Sequence, residues 1–421
     1  MSPSPEPATG AANPVTIVRA ARWLDVEAGE VRGPVSITVD DGHITALDTD
    51  GTPSEVAHVH DLGDLTVMPG LMDMELNLLL GGPSGGNPRS DVQDDPAFRT
   101  LRATLNARKT LHAGFTTVRN LGLFVRTGGA LLDVALARAV DLGWIEGPRI
   151  IAAGHAISPT GGHLDPTMFS RLGPGIMPLS VEEGIANGVA EVRKATRYQL
   201  KYGAGVIKIS ASGGVMSHSG EPGAQQYSDE ELAAIVDEAH RRGIRVAAHC
   251  LGDEAARACI AAGVDCLEHG FLVSDDTLAL MAERGTYLVS TTCLTDQMDL
   301  SRAAPELKAK AAHVFPLART VLPRAIAAGV RVCCGTDAPA IPHGEGAKEL
   351  MAMVDRGLSA AQVLKAATMT NASLIAREHD LGQLKVGFLA DLIAVPGDPI
   401  ADIGVTQDVR FVMKAGTVYK S

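Results

Sequence analysis

The sequence lacks an excess of positive charge: 37 basic side chains face 49 acidic ones, for a net charge of −12 and a pI near 5.5. That balance argues against nucleic acid as the main partner. No apolar run reaches the roughly 18–20 residues of a membrane-spanning helix. The start, MSPSPEPATGAANP, has neither the basic opening nor the apolar stretch of a signal peptide, so residues 1–13 read as a short disordered tail. Cysteines number only six (Cys250, Cys259, Cys266, Cys293, Cys333, Cys334), with no CxxC pair. They imply no disulfide framework and fit reduced thiols in a cytoplasmic protein. Aromatics total just two Trp, five Tyr and eight Phe, yet 46% hydrophobic and 20% charged residues exclude a disordered chain.

What is present suggests two or three domains, or one large barrel with an appendage. The first sixty residues read as short β-branched strands (16–18, 35–39, 44–47) with an Asp41-Gly42 turn. The last forty read the same way (391–395, 411–413, 417–419), so both ends contribute to one small sheet domain, over 14–66 and 385–421. Between them, over 67–384, apolar strands alternate with helices. The strands are predicted at 66–77, 115–120, 149–153, 206–210, 246–249, 266–269, 287–290 and 332–337. Ser180, Ser228 and Ser359, each followed three residues later by Glu or Gln, read as helix capping boxes. Eight such strands favour an α/β chain with a (β/α)8 TIM barrel plus a β-sandwich. Long loops at 80–96, 155–178 and 211–227 follow strand ends, where barrel enzymes carry their active sites.

Most of the thirteen histidines read as solvated or packed, but His155, His163, His249, His269 and His343 fall at or just beyond strand ends. With Asp337 ending the last strand they indicate a metal or acid–base site. Lys208 sits inside an apolar strand; it either points outward at a helix or is carboxylated, giving a carbamate able to bridge metals.

Val67-Met68-Pro69-Gly70-Leu71-Met72-Asp73, the Lys208 strand, Ala247-Ala248-His249, Glu268-His269-Gly270 and Gly335-Thr336-Asp337-Ala338 together resemble the amidohydrolase superfamily. Gly161-Gly162-His163 and Gln226-Tyr227-Ser228 place the resemblance nearest its imidazolonepropionase-like and prolidase-like branch. In that superfamily the first barrel strand ends in His-x-His, whereas this chain reads Glu75-Leu76-Asn77, and Arg119-Asn120 stands where the branch has Arg-Asp. Replacing an imidazole by Glu75 adds an anionic donor, weakens the metals as Lewis acids and suits iron or manganese. In this the chain resembles the barrel-type nonheme diiron monooxygenases, a group represented by the diterpenoid hydroxylase of platensimycin and platencin biosynthesis.

That resemblance implies an oxygen-dependent hydroxylase of secondary metabolism with two iron ions, O2 as co-substrate and an external electron donor. No GxGxxG follows a strand before a helix, so a separate reductase is expected. The substrate is expected to be a small molecule linked to coenzyme A, met by Arg89, Arg99 and Arg171, under a lid at 81–87. The implied ligands are Glu75, Lys208, His249, His269 and Asp337, with His163 replacing a lost imidazole and Asn77 either ligating or orienting a ligand. Tyr227 and Asn120 are the catalytic candidates, and His155, His343 and Tyr227 the substrate-binding ones. Self-association is expected from related barrels. Two alternatives stand beside this reading. One is a zinc- or manganese-dependent hydrolase of an amide or cyclic amide; the other is a non-catalytic binding protein on a retired barrel.

Overall fold

The computed structural model describes residues 15–48, 58–81, 94–170, 175, 178–218, 220–301 and 303–421. The N-terminal tail, nearly all of the loop expected as a lid, and Arg89 and Arg171 lie outside them. Among the described residues eighteen strands follow in chain order. The first seven are β1 Thr16–Ala20, β2 Arg22–Asp25, β3 Glu30–Arg32, β4 Val35–Asp40, β5 His43–Asp48, β6 His58–Asp61 and β7 Leu65–Pro69. The barrel strands are β8 Leu71–Leu76, β9 Phe115–Asn120, β10 Arg149–Ala152, β11 Ile207–Ser210, β12 Val246–Gly252, β13 Cys266–Leu272, β14 Tyr287–Val289 and β15 Val332–Cys333. The last three are β16 Leu392–Pro396, β17 Phe411–Lys414 and β18 Thr417–Lys420.

Of two further sheets, β5-β4-β1-β6 comes from the N-terminal part, whereas β18-β17-β16-β7-β2-β3 takes strands from both ends of the chain. Val18, Ile37 and Ile44 from the first meet Trp23, Val67, Leu392 and Phe411 from the second in one apolar core. Parallel strands form the rest, β8 to β10 in one sheet and β11 to β15 in another. Two seams close them into a barrel. Ile157 bridges to Ile209, and Leu76 bridges to Ala338, which follows β15. Strands such as β8, β9, β11 and β12 are buried along their whole length, as expected where helices cover the outside and side chains fill the inside.

The strand expected over 66–77 is in fact two. β7 pairs with β16 in the terminal sheet, whereas β8 pairs with β9 in the barrel. Gly70 is the crossing point: its N–H donates to the Asp391 carbonyl at 2.9 Å. A Cβ there would stand 2.2 Å from Thr116 Oγ1, so no other residue fits without a shift. The last barrel strand is shorter than expected, but the chain beyond it stays bonded to β8: the N–H of Met74 donates to the Cys334 carbonyl at 2.9 Å and that of Thr336 to the Glu75 carbonyl at 3.1 Å. Ser228 and Ser359 form complete capping boxes. Ser180 does not, because the Glu183 carboxylate turns instead to the N–H groups of Thr127 and Gly128, at 2.8 and 2.9 Å.

Candidate metal centre

The barrel strands deliver their polar residues to one end. Glu75 on β8, His269 on β13 and Asp337 just past β15 each bring one donor atom within 4.8 Å of the others. Lys208 on β11 donates to Glu75 Oε1 at 3.0 Å, and His269 Nε2 lies 3.7 Å from the same oxygen. Imidazoles continue the array: the His249 ring centroid is 4.8 Å from that of His269 and 4.2 Å from that of His163. His163 arrives from the loop after β10. Its backbone N–H is held by Gln226 Oε1 at 3.0 Å, and its ring rests on Gly214, where a Cβ would come 2.3 Å from the imidazole.

Electrostatics suit a cation. Burial alone would raise the Glu75 carboxyl, but the charge of Lys208 foremost holds it at about 2, so it is anionic. Burial depresses His269 to about 4 and His163 to about 3, and pushes His249 well down, so all three imidazoles are neutral and able to ligate. His249 is hydrogen-bonded to the Gly213 backbone, while its buried Nε2 has no partner among the described residues. An orphaned imidazole nitrogen beside two carboxylates and a second imidazole is the donor set a divalent cation satisfies. Glu75, His269 and Asp337 would hold such an ion, with His249 beside them.

The other expected site residues are placed differently. Asn77 donates its amide to the Gly122 carbonyl at 2.7 Å and accepts from the Leu79 N–H at 3.2 Å, so both ends of the side chain engage backbone. That is an orienting arrangement rather than a ligand's. Asn120 similarly accepts from the Leu78 N–H at 2.8 Å and donates to Asp133 at 3.3 Å. Tyr227 is buried in the barrel's main core and donates to the Ala186 carbonyl at 3.1 Å. Arg99 is buried as well, its Nε donating to the Asp94 carbonyl at 3.3 Å, which removes it from any rim contact with a phosphate group.

His155 pairs with Thr127 Oγ1 at 2.8 Å, and His343 with the Leu80 carbonyl at 3.3 Å. Both brace loops, and burial holds both down to about 4 from an ordinary 6.5. The unfolded chain therefore binds protons at these positions before the folded one does as pH falls. Their contribution is complete above pH 6.5 and lost progressively down to about 4. Each is expected to cost on the order of 3 kcal/mol across that window. Calorimetry at a series of pH values should show the melting temperature falling there, and His343→Gln should flatten the fall.

Several supporting residues lie inside the quoted motifs without being among the expected site residues. Asp73, one turn of the pleat below Glu75, accepts from the N–H of Glu75 at 3.1 Å, the N–H of Thr336 at 3.0 Å and the Thr336 hydroxyl at 2.6 Å. It thereby joins the backbones that carry Glu75 and Asp337. An acid inside an apolar strand was the available signal, the same one that marks Lys208. Glu268 lies beneath Glu75, bonded to it and to Arg119, whose Nη2 is 2.9 Å from Glu268 Oε1. Burial, reinforced by the Glu75 charge, pushes Glu268 up to about 8, so it holds the proton that a contact between two carboxyls needs.

A closed parallel barrel with a β-sandwich appendage and a carboxylate–imidazole cluster at its strand ends defines a metal-site enzyme scaffold. The chain belongs to the amidohydrolase family, whose model matches residues 66–419. It is 34% identical over 378 residues to ochratoxinase from Aspergillus niger, covering 84% of this chain and 75% of that protein. It is 25% identical over 396 residues to imidazolonepropionase from Symbiobacterium thermophilum, covering 85% of this chain and 83% of that one. Among solved structures, a Xaa-Pro dipeptidase with bound methionine in its active site superposes with a TM-score of 0.90 at 34% identity, covering 97% of this chain and 100% of that one.

These likenesses correct the oxygenase reading. The relatives are hydrolases and match nearly the whole chain, whereas the oxygenase resemblance rested on Glu75 and Asn77 alone. Since the Asn77 amide is engaged by backbone, that motif reduces to one exchanged donor, Glu75. The two irons, O2, the electron donor with its reductase, and the coenzyme A-linked substrate of secondary metabolism fall with it.

Proposed function

We propose that this protein is a metal-dependent hydrolase of a small-molecule amide, of the dipeptide or N-acyl amino acid class. The observation that carries the proposal is the clustering of Glu75, His269 and Asp337 at the strand ends of an amidohydrolase barrel. Support for the substrate class comes from the dipeptidase and ochratoxinase likenesses. A divalent metal, when bound, supplies Lewis acidity toward the amide carbonyl and toward water. Asp337 is the least buried of the three clustered residues, and burial together with the Glu75 charge raises its carboxyl. It is the group to accept a proton from water and return it to the leaving nitrogen. Lys208 balances Glu75, and neutral His163 packs against His249.

The test is a panel of Xaa-Pro and Xaa-Phe dipeptides and N-acyl amino acids, given to chelator-treated protein with and without zinc or manganese. Release of free amino acid that depends on added metal and is indifferent to oxygen is expected. Protein that binds metal yet releases no amino acid from any member would reject the proposal.

A further inference from the structure

His269 has one nitrogen toward Glu75 and the other toward the turn after β14, and which nitrogen carries the proton decides whether it can ligate. Its Nδ1 lies 2.8 Å from Thr291 Oγ1. The Thr291 hydroxyl donates its own proton to the Ser290 carbonyl, also at 2.8 Å, so toward the imidazole it can only accept. Nδ1 must then be the protonated nitrogen, and Nε2 presents its lone pair on the side of Glu75 Oε1, 3.7 Å away.

Thr291 is held in this role against its own preference. Its φ is +44°, a left-handed conformation that a β-branched residue rarely adopts. The buried Glu349 carboxylate, from the helix Ala347–Asp355, pins the turn by accepting from the N–H groups of Thr292 and Cys293, both at 2.7 Å, and from the Ser290 hydroxyl at 3.3 Å. His269, at φ +72°, and Asp337, at φ +53°, are in the same unusual region. Strain persisting at three site residues indicates a structure organised around the site rather than around local backbone ease.

We infer that Thr291 is a positioning residue that fixes the Nδ1–H tautomer of His269 and so presents Nε2 to a metal ion. This rests on the metal-site reading above. Thr291→Val keeps the shape and removes the acceptor, whereas Thr291→Ser keeps the acceptor. Zinc affinity of the full-length, chelator-treated protein, measured by competition with a chromophoric chelator, should fall about 10- to 100-fold in Thr291→Val and stay within about threefold in Thr291→Ser. In metal-free protein labelled with 15N-histidine, the His269 signals, assigned with His269→Gln, should show an unprotonated Nε2 in wild type and Thr291→Ser and a mixture in Thr291→Val. Equal zinc affinity or an unchanged tautomer in Thr291→Val would overturn the inference, as would a Thr291→Ser protein as weak as Thr291→Val. A wild-type protein holding no zinc would strike the metal reading itself and this inference with it, whereas equal affinities strike only the inference.

Discussion

Asp337→Asn is expected to abolish metal-dependent amide hydrolysis, by about a thousandfold or more, while raising the melting temperature of the metal-free protein by about 1–3 °C. The two effects share one cause. Asp337 stands within ligand range of Glu75 and His269, and burial first, then the Glu75 charge, pushes its carboxyl well above the usual range. Crowded carboxylates serve a cation when one is present and repel each other when it is not. Asparagine tolerates the left-handed backbone at this position, where φ is +53°, so the substitution changes charge with little added strain. The backbone bond from the 337 N–H to the Glu75 carbonyl does not involve the side chain. Scanning fluorimetry with and without chelator, beside the hydrolysis assay, checks both halves. A variant that loses activity and is also less stable without metal would show Asp337 to be a structural residue rather than a ligand.

The parts of this site that are legible in the sequence are those where a polar residue interrupts or ends an apolar strand. Lys208, His249, His269 and Asp337 all do so, and the barrel brings them to one end. The same signal misleads at Asn77 and Asn120. Both end strands, yet their amides satisfy the N–H and carbonyl groups of the turns that follow. A strand's period tells which face a residue occupies, not whether its partner will be a ligand or a backbone group. The crossing at Gly70 is hidden for a related reason. Apolar residues continue on both sides of it, and only the approach of Thr116 shows that the chain changes sheets there. Thr291 and Glu349 could not be paired from sequence at all, since the contact between their segments spans more than fifty residues and carries no spacing.

The first barrel strand points away from the family's chemistry for a different reason. Glu75 does change the charge of the donor set. One exchanged donor was nevertheless outweighed by the likeness of the remaining chain to hydrolases. Its neighbours accommodate the exchange: Lys208 donates to Glu75, and Glu268, whose carboxyl burial raises to about 8, is bonded to it. A carboxylate can therefore occupy the first strand without dismantling the array around it.

That support from below underlies the largest expected effect on stability. Arg119 is almost wholly buried, and it joins three strands: Nε donates to the Met74 carbonyl on β8 at 2.7 Å, Nη1 to Cys266 Sγ at 3.1 Å and Nη2 to Glu268 Oε1 at 2.9 Å on β13. Arg119→Met, measured by urea denaturation of chelator-treated protein, should cost about 3–5 kcal/mol, because it leaves a buried carbonyl and a buried carboxyl unsatisfied. The cost should depend on pH. Burial, offset by Arg119 and reinforced by Glu75, puts Glu268 at about 8 in the folded chain against an ordinary 4.5. With its folded value raised, the contribution of Glu268 is fully present below 4.5 and is lost as pH climbs through 8. Without Arg119 the carboxyl is harder still to ionise, so the loss continues past that point. The penalty of Arg119→Met should accordingly be smaller near pH 6, where Glu268 escapes by staying protonated, and larger near pH 9. Adding Glu268→Gln should remove the pH dependence and recover part of the lost stability, giving a coupling that a double-mutant cycle reads directly. A penalty that is flat with pH and unchanged by Glu268→Gln would mean that Arg119 acts through the Met74 carbonyl and Cys266 rather than through Glu268.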